Sequence, residues 1–227
     1  MSFPERDEDG FGLEQVAAAT DVSRETLDLI RHYLFVLDDW RTKMNLIGPA
    51  EGRHLWRRHV YDSLQVLDLI GKGRESGPAS LVDLGSGAGF PGIVLACVFA
   101  GSRSGHGDIS VTLVEKSPKK AHFLESAVRA VLGAKGPVVL NQRIEDAPAA
   151  RFDIVTARAL APLPKLLGYV ESWAKPDGQA LLWKGREATS ELTLSREFWT
   201  FDFSQRASLT HPEGQVLAIS NLRRQSP

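Results

Sequence analysis

The stretch "LVDLGSGAGFPGIVLACVFA", residues 81–100, decides the fold. An apolar run ends in Asp83 and Leu84, and a second apolar run begins after Pro91. Three glycines stand at alternate positions between the two runs: Gly85, Gly87 and Gly89. Glycine adopts unusual backbone angles and carries no Cβ to block a ligand. Proline in the first helical turn costs no hydrogen bond. We predict a strand, a tight turn and a helix whose free N–H groups face a nucleotide-type cofactor.

The remainder of the chain alternates between strand-like and helix-like segments. Strands are predicted at 80–84, 109–115, 137–140, 152–156 and 179–183, and helices at 91–100, 118–132 and 161–174. Such alternation is typical of an α/β domain with a mostly parallel sheet and helices on both faces. Beyond Gly185 come a helical piece and two apolar segments, which predict a closing antiparallel hairpin.

The N-terminal part has a different pattern. Apolar residues at 3–4 spacing after Ser23 predict an amphipathic helix capped by that serine, and a second helix is predicted from about Arg53 to Ile70. The Gly/Ser/Pro-rich segment 71–80 is the best candidate boundary. We therefore predict an acidic flexible tail over 1–22, a helical extension over 23–76 and a catalytic domain over 77–227, packed together as one unit.

Charge and composition narrow the possible functions. The formal net charge is −1, yet residues 1–28 hold eight acidic and two basic side chains, whereas residues 41–60 hold five basic and one acidic. A mildly basic face is therefore expected outside the N-terminus. The chain has one cysteine, Cys97, which excludes a disulfide framework and a cysteine-based metal site. No apolar run is long enough to span a bilayer. We expect a cytoplasmic monomer without membrane attachment and without a metal.

The glycine spacing distinguishes two classes of cofactor. The dinucleotide pattern G-x-G-x-x-G would need a third glycine where Phe90 stands. The segment from Asp83 to Gly89 instead has the pattern acid-x-G-x-G-x-G, which resembles the first motif of S-adenosylmethionine-dependent methyltransferases. The next strand ends at Glu115, where a carboxylate would hold ribose hydroxyls in either class. The pattern favours S-adenosylmethionine, with Asp83, Gly85, Gly87, Gly89 and Glu115 as cofactor-binding residues.

Two features that the sequence lacks limit the range of possible methyl acceptors. Carbon-5 methylation of pyrimidines needs a nucleophilic cysteine, but Cys97 lies within an apolar helix and is expected in the core. The Asn/Asp-Pro-Pro-aromatic turn common in amine methyltransferases is replaced by "VTARALAPLP", which contains Arg158. A nucleophile with a free lone pair, such as guanine N7, needs only to be positioned, and orientation alone can lower a barrier by roughly 7–11 kcal/mol.

Several motifs then occur in a characteristic order: "NLIG…RHVYDSL", "DLGSGAGFPGI", "VEKSPKKAHFL", "RIED", "FDIVTARALAPL" and "LLWKG". Over roughly residues 40–220 the chain resembles the glucose-inhibited division protein B (RsmG) family. The resemblance implies a Rossmann-like class I S-adenosylmethionine-dependent fold. It also implies an enzyme that methylates guanine N7 in 16S rRNA, in the decoding-region loop, within the small ribosomal subunit or an assembly intermediate.

Carried over residue by residue, the resemblance implies cofactor contacts at Gly85, Phe90, Ile144, Glu145 and Arg158. Phe90 would either cover the cofactor or staple the helix start, and Glu145 would bind the adenine amine or cap a turn. Methylation of N7 leaves the base with a positive charge, so a cation pressed against the ring would oppose the reaction. Arg158 is therefore expected to bind the cofactor carboxylate, to bind an rRNA phosphate, or to contact guanine O6 edge-on. The structural alternative for Arg158 is an ion pair with an acid such as Glu145 or Asp153.

Other residues are candidates for positioning the substrate. His59, Asp62 and Ser63 have i+3 and i+4 helical spacing, and a Ser-His-Asp hydrolase is disfavoured because one helix holds all three. The candidates for positioning the substrate are therefore His59, Asp62 and Arg158. Basic residues near predicted strand ends or in the basic segment are candidate RNA contacts: Arg53, Arg57, Arg58, Lys116, Lys119, Lys120, Lys165, Lys184 and Arg186.

Three alternatives stay open. A methyltransferase of the same fold could act on a small molecule or a protein. A dinucleotide-dependent oxidoreductase is disfavoured by Phe90. A non-catalytic module could bind S-adenosylmethionine or rRNA, because N7 methylation requires no proton-transfer residue. The segment "GSRSGHG", residues 101–107, matches no motif.

Overall fold

The computed structural model describes residues 5–48, 50–70, 79–101, 108–146 and 150–225. The N-terminal helices are α1 (Leu13–Ala19), α2 (Arg24–Arg41) and α3 (Asp62–Leu64), and a π-helix, Trp56–Tyr61, leads directly into α3. The strands are β1 (Ala79–Leu84), β2 (Ile109–Val114), β3 (Val138–Leu140), β4 (Phe152–Arg158), β5 (Ala174–Lys184), β6 (Trp199–Ala207) and β7 (Gln215–Arg224). The helices between them are α4 (Gly92–Ala100), α5 (Pro118–Val131), α6 (Leu163–Trp173) and α7 (Ala188–Ser195). Short 3₁₀ turns occupy Glu51–Arg53 and Gly133–Lys135.

The strands form one seven-stranded sheet in the order β3-β2-β1-β4-β5-β7-β6. Strands β1 to β5 are parallel, and β7 pairs antiparallel with both β5 and β6. The predicted parallel sheet and closing hairpin are therefore confirmed. The central strand β4 is buried on both faces, as its unbroken apolar run predicts. The order reverses between β1 and β4, which makes the carboxyl ends of these strands the natural place for a ligand.

The core consists of two layers, one on each face of the sheet. One layer joins the sheet to α2, α4, α5 and the π-helix, and the other joins it to α6 and α7. Neighbouring residues on β1 point to opposite layers, as Leu81 and Val82 show. Because α2 and the π-helix belong to the first layer, the N-terminal helices are packed on the sheet rather than separate from it. None of the helices in the described part of the chain combines the length and apolar character needed to cross a membrane.

Two predictions about the N-terminus are wrong. The predicted flexible tail contains helix α1, whose Val16 is fully buried, and an ordered Asp7. Asp7 is buried because its carboxylate accepts hydrogen bonds from the backbone N–H groups of Trp56 (3.0 Å) and Arg57 (2.9 Å). These donors lie at the start of the π-helix, where no intrahelical partner is available. The acidic segment therefore caps a helix.

The predicted helix from Arg53 to Ile70 is also shorter than expected. The carbonyl of Asp62 accepts hydrogen bonds from Gln65 Nε2 (3.0 Å) and Trp183 Nε1 (3.1 Å). Because a continuing α-helix would use this carbonyl for its own N–H, the helix ends at Leu64 and turns follow. By contrast, α2 begins as predicted, with Ser23 Oγ accepting from Thr26 N at 3.2 Å. The predicted boundary segment, 71–80, is described only at residues 79 and 80, and the division at 76/77 lies outside the described residues, as do residues 102–107. The division at 76/77 stays a prediction.

Candidate active site

The glycine loop after β1 has the backbone that its sequence predicts. Gly85, Gly87 and Gly89 all have positive φ, at +71°, +55° and +93°. A Cβ on Gly85 would stand 2.8 Å from Leu160 Cδ1, and one on Gly89 would stand 2.9 Å from Tyr33 Oη. Around Gly87 the nearest atom to a Cβ would be Gly85 O at 3.7 Å, so that position is open. Packing therefore requires glycine at two of the positions, and the third offers a bare backbone to a ligand.

Two buried carboxylates flank the loop. Glu115, which follows β2, accepts hydrogen bonds from Gly87 N (3.0 Å) and Ser117 N (2.7 Å). Asp83, within β1, accepts one from Thr156 Oγ1 (2.9 Å). Burial raises the pKa of Asp83 to about 6, and the hydrogen bond from Thr156 opposes that rise. Glu115 thus holds the loop in place at the strand end where a ribose-binding acid is predicted.

Side chains from the β3–β4 connection complete this side of the site. Ile144 lies next to the loop, with its Cδ1 at 3.8 Å from the position of a Gly85 Cβ, and its carbonyl accepts from Trp173 Nε1 at 2.9 Å. These residues fit S-adenosylmethionine: an open glycine backbone, a strand-end carboxylate for ribose hydroxyls and an apolar side chain for the adenine face. Glu145 is exposed, and its carboxylate accepts from Tyr169 Oη at 2.9 Å, so its contact with the adenine amine stays a prediction.

Phe90 joins the glycine loop to the N-terminal helices. Its ring is buried, with its centroid 5.3 Å from that of Tyr33 and 4.9 Å from that of His59. The hydroxyl of Tyr33 donates a hydrogen bond to the carbonyl of Ala88, within the loop. The aromatic side chain therefore lies between the helix start and the next cluster of polar groups.

That cluster has Arg158 at its centre, at the end of β4. Arg158 Nη2 lies 2.6 Å from His59 Nδ1, and Arg158 Nη1 lies 3.2 Å from Asp62 Oδ2. The alternative ion pairs with Glu145 or Asp153 are wrong, because Asp153 instead accepts from Ser80 (2.9 Å) and Lys175 (3.0 Å). Ala159, which directly follows Arg158, has a positive φ of +50° although it is not a glycine.

Burial shifts the pKa values of both His59 and Asp62. Burial, followed by the nearby Arg158, lowers the pKa of His59 to about 2, so the ring is neutral. Since Arg158 is a donor only, His59 Nδ1 accepts and Nε2 carries the proton. Burial raises the pKa of Asp62, although Arg158 opposes the rise. Asp62 Oδ1 also accepts from Gln65 Nε2 and Thr210 Oγ1, both at 2.7 Å.

Two further side chains, Ser63 and Cys97, were considered as nucleophiles in the sequence. Ser63 Oγ donates to the carbonyl of His59 at 2.6 Å and does not face the ring, so no hydrolase triad exists there. Cys97 is fully buried, as predicted, and burial raises its pKa to about 12. Neither side chain is an available nucleophile.

Most of the candidate RNA contacts are already paired with acids. Arg53, Arg57 and Arg58 lie 3.7, 2.9 and 3.1 Å from carboxylate oxygens of Glu8, Asp9 and Glu51. Arg186 makes two 2.9 Å hydrogen bonds to Glu213.

Lys184 stands apart from these surface pairs because its side chain is 10% exposed. It lies 2.6 Å from Glu191 and donates to Ala161 O, which makes it an internal residue that fixes the loop after β4. Lys116, Lys119 and Lys165 are exposed and Lys120 is half-buried.

Two adjoining cavities open at the carboxyl ends of β4 and β5. One, of about 560 Å³, is lined by residues 159–162 and 183–187 together with Glu191 and Glu213. The other, of about 280 Å³, is lined in part by Asp62, Arg158, Trp183 and Thr210. Four residues of these linings were not predicted as site residues: Glu51, Trp183, Ser208 and Thr210. Trp183 lies within the motif "LLWKG", whereas Thr210 lies in a loop with no local signal.

Comparison with known proteins agrees with this geometry. A family model described as GidB, rRNA small subunit methyltransferase G, matches residues 26–219. The chain belongs to this family. Ribosomal RNA small subunit methyltransferase G of Bradyrhizobium sp. (strain ORS 278) is 43% identical over 92% of this chain and 90% of its own length. The protein of the same name from Hyphomonas neptunium is 43% identical over 92% of this chain and 94% of its own length.

Solved structures support the fold of this family member. An O-methyltransferase from Bacillus cereus in complex with SAH has a TM-score of 0.53 at 13% identity, covering 91% of this chain and 96% of that one. The magnesium protoporphyrin IX methyltransferase of Synechocystis with bound SAM has a TM-score of 0.55 at 14% identity. The match covers 88% of this chain and 99% of that one. The fold is that of class I S-adenosylmethionine-dependent methyltransferases, as predicted.

Proposed function

We propose that this GidB family member transfers a methyl group from S-adenosylmethionine to N7 of a guanine in 16S rRNA, in the decoding-region loop. Family membership and the class I fold support the reaction type and the rRNA substrate. The glycine loop, Glu115 and Ile144 would hold the cofactor, with Phe90 next to the helix start. When bound, the cofactor supplies an electrophilic methyl group on a sulfonium.

One observation favours N7 as the acceptor: the two titratable side chains in contact with Arg158 are both engaged, and neither is free to remove a proton. His59 is neutral and its Nδ1 faces Arg158. The Asp62 carboxylate is occupied by Arg158, Gln65 and Thr210. An acceptor that loses a proton on methylation would need a base here, whereas guanine N7 offers a lone pair and needs only orientation.

The charge at the site also suits this acceptor. Methylation leaves the base positive, and a bare guanidinium beside it would oppose the reaction. The charge of Arg158 is balanced by Asp62 at 3.2 Å, in a partly buried environment where the interaction is weakly screened. The Arg158–Asp62 ion pair would therefore present the base with a wall that carries no net charge.

We further propose a small subunit or an assembly intermediate as the substrate, in preference to free RNA. The net charge is −1, and Arg53, Arg57 and Arg58 are paired with acids, so little electrostatic attraction for naked RNA is left. We propose that the protein acts as a monomer in the cytoplasm, where such particles form.

The test is to incubate purified protein with radiolabelled S-adenosylmethionine and small subunits from a strain lacking the modification. The rRNA is then digested and mapped by mass spectrometry, with Arg158→Ala as the inactive control. The expected result is one 7-methylguanosine in the decoding-region loop. Absence of label in rRNA, despite measurable binding of S-adenosylmethionine, would overturn the proposal and point to another acceptor or to a non-catalytic module.

A further inference from the structure

The smaller cavity, which we call the base cavity, has the position and lining of a site for a single base. It is lined by Asp62, Arg158, Trp183, Ser208, Thr210 and His211, with Glu51 and Arg58 also on its wall. Its volume of about 280 Å³ lies near the lower end of ligand pockets. It lies at the ends of β4 and β5, where open α/β sheets bind their ligands. This inference rests on the proposed function.

The chemistry of the reaction limits how the enzyme recognises guanine. The N7 lone pair attacks the methyl group, so a donor hydrogen-bonded to N7 would compete with the reaction. The usual arginine contact to O6 and N7 is therefore excluded at the moment of transfer. What distinguishes guanine on its Watson–Crick edge is the sequence O6, N1–H and N2–H₂, which is one acceptor followed by two donors. A complementary protein surface must offer one donor followed by two acceptor atoms.

The base cavity offers the two acceptor atoms on a single carboxylate. Of its two carboxylates, Asp62 is already occupied on both oxygens. Glu51 lies on the wall with its side chain 37% exposed and is bound on one side, where Oε1 lies 3.1 Å from Arg58 Nη1. Two carboxylate oxygens accept two parallel N–H donors, and the contact to Arg58 leaves lone pairs free on both.

Close to this carboxylate lies a buried ring nitrogen, Nε2 of His59. Nε2 carries the proton, is buried and has no hydrogen-bond partner among the described residues. It lies 3.6 Å from Glu51 Oε2, beyond hydrogen-bond distance, and His59 is not among the residues that line the base cavity. Glu51 is therefore the member of this pair that a base in the cavity can reach.

We propose that Glu51 recognises the Watson–Crick edge of the target guanine, its carboxylate accepting from N1–H and N2–H₂. Adenine presents the reverse pattern, a donor amine and an acceptor N1, and is rejected. Glu51 is then the residue that determines base specificity, and it does not touch the reacting N7.

The test compares small subunits reconstituted with 16S rRNA that carries either guanosine or inosine at the target position. Inosine keeps N7, O6 and N1–H and lacks only the N2 amine. Wild-type protein should prefer guanosine by about tenfold or more in kcat/KM, since a lost base-edge contact is worth roughly 1–3 kcal/mol. Glu51→Gln and Glu51→Ala should lower kcat/KM for guanosine and bring the preference for guanosine over inosine close to one. Glu51→Asp, which keeps the carboxylate, should restore part of the preference.

Two controls separate recognition from folding. Glu125→Gln removes a carboxylate on α5 that lies 3.9 Å from His122 and lines neither cavity, and it should leave activity unchanged. The Kd for S-adenosylmethionine of the Glu51 variants should stay within about twofold of wild type. If the Glu51 variants keep the full preference for guanosine, the inference is wrong. If wild-type protein methylates neither substrate, the proposed function fails and this inference with it.

Discussion

The two sides of the active site are built in different ways. On the cofactor side, the glycine loop and Glu115 come from one β-α-β unit, and backbone N–H groups supply the bonds. On the acceptor side, His59, Asp62 and Arg158 are brought together by side-chain contacts across 96 to 99 positions of the chain, and Thr210 by one across 148. The cofactor side is therefore local and the acceptor side is assembled only by the complete fold.

This difference determines which substitutions disrupt each side of the active site. A local backbone site tolerates distant changes and is destroyed by a single Cβ atom. A network of buried charged groups depends on every member, because removing one partner leaves the other buried and uncompensated.

Arg158→Ala should have the largest effect. It leaves Asp62 buried without its cation and should lower the free energy of unfolding by about 3–5 kcal/mol. The double variant Arg158→Ala/Asp62→Asn should regain most of that stability, because no unpaired charge remains, without regaining methyl transfer. Urea denaturation and kcat/KM on small subunits measure the two quantities. If stability and activity return together, the pair serves only the fold.

The same contrast explains what could be predicted from sequence. The order acid-x-G-x-G-x-G and the alternation of strands and helices have local signatures, so the parallel sheet, its closing hairpin and the glycine loop were all predicted. The contact between Asp7 and the start of the π-helix has no such signature, because the two segments are about fifty residues apart. The predicted ion-pair partners of Arg158, Glu145 and Asp153, were wrong for the same reason: the fold supplies Asp62, which is 96 positions away in the chain.

Gly87→Ala tests the cofactor side. Its φ of +55° costs alanine about 1–2 kcal/mol, and a Cβ there meets no protein atom closer than 3.7 Å. Gly133→Ala is the matched control, since Gly133 has a φ of +62°, open space around it and no part in the loop. Both variants should lose similar stability, but only Gly87→Ala should raise the Kd for S-adenosylmethionine, by about ten- to a hundredfold. Calorimetric titration of both variants is the measurement, and equal Kd values would show that no ligand approaches Gly87.

The two sides should respond to pH with opposite signs. The pKa of His59 is about 2 in the folded protein, below its ordinary 6.5. Between these two values the unfolded chain binds a proton at His59 and the folded chain does not. Its contribution to stability is complete above 6.5 and is lost as pH falls, by about 1.4 kcal/mol for each pH unit well below that value. Asp83 has a folded pKa of about 6, above its ordinary 3.8, so its contribution is complete below 3.8 and is lost as pH rises towards 6.

Denaturation across that window separates the two contributions. Relative to wild type, His59→Asn should gain stability as pH falls from about 6 to about 5, and Asp83→Asn should gain stability as pH rises over the same interval. Each variant removes one slope and leaves the other, so the two difference curves should cross. Parallel curves for wild type and either variant would show that the group concerned has the same pKa in the folded and unfolded chains.

The smallest effect is expected from the acids that cover the basic face. Glu8→Gln/Asp9→Asn frees Arg53 and Arg57, whose pairs are surface contacts worth about 0–1 kcal/mol. Affinity for small subunits should rise by no more than about fivefold at low salt, with a steeper dependence of log Kd on log salt, because two more cations reach phosphates. The control Asp39→Asn/Glu125→Gln changes the net charge equally at acids that pair with Lys43 and His122 instead. If both double variants bind alike, total charge governs binding; if only the first binds more tightly, the segment that caps the π-helix also limits how strongly this enzyme holds RNA.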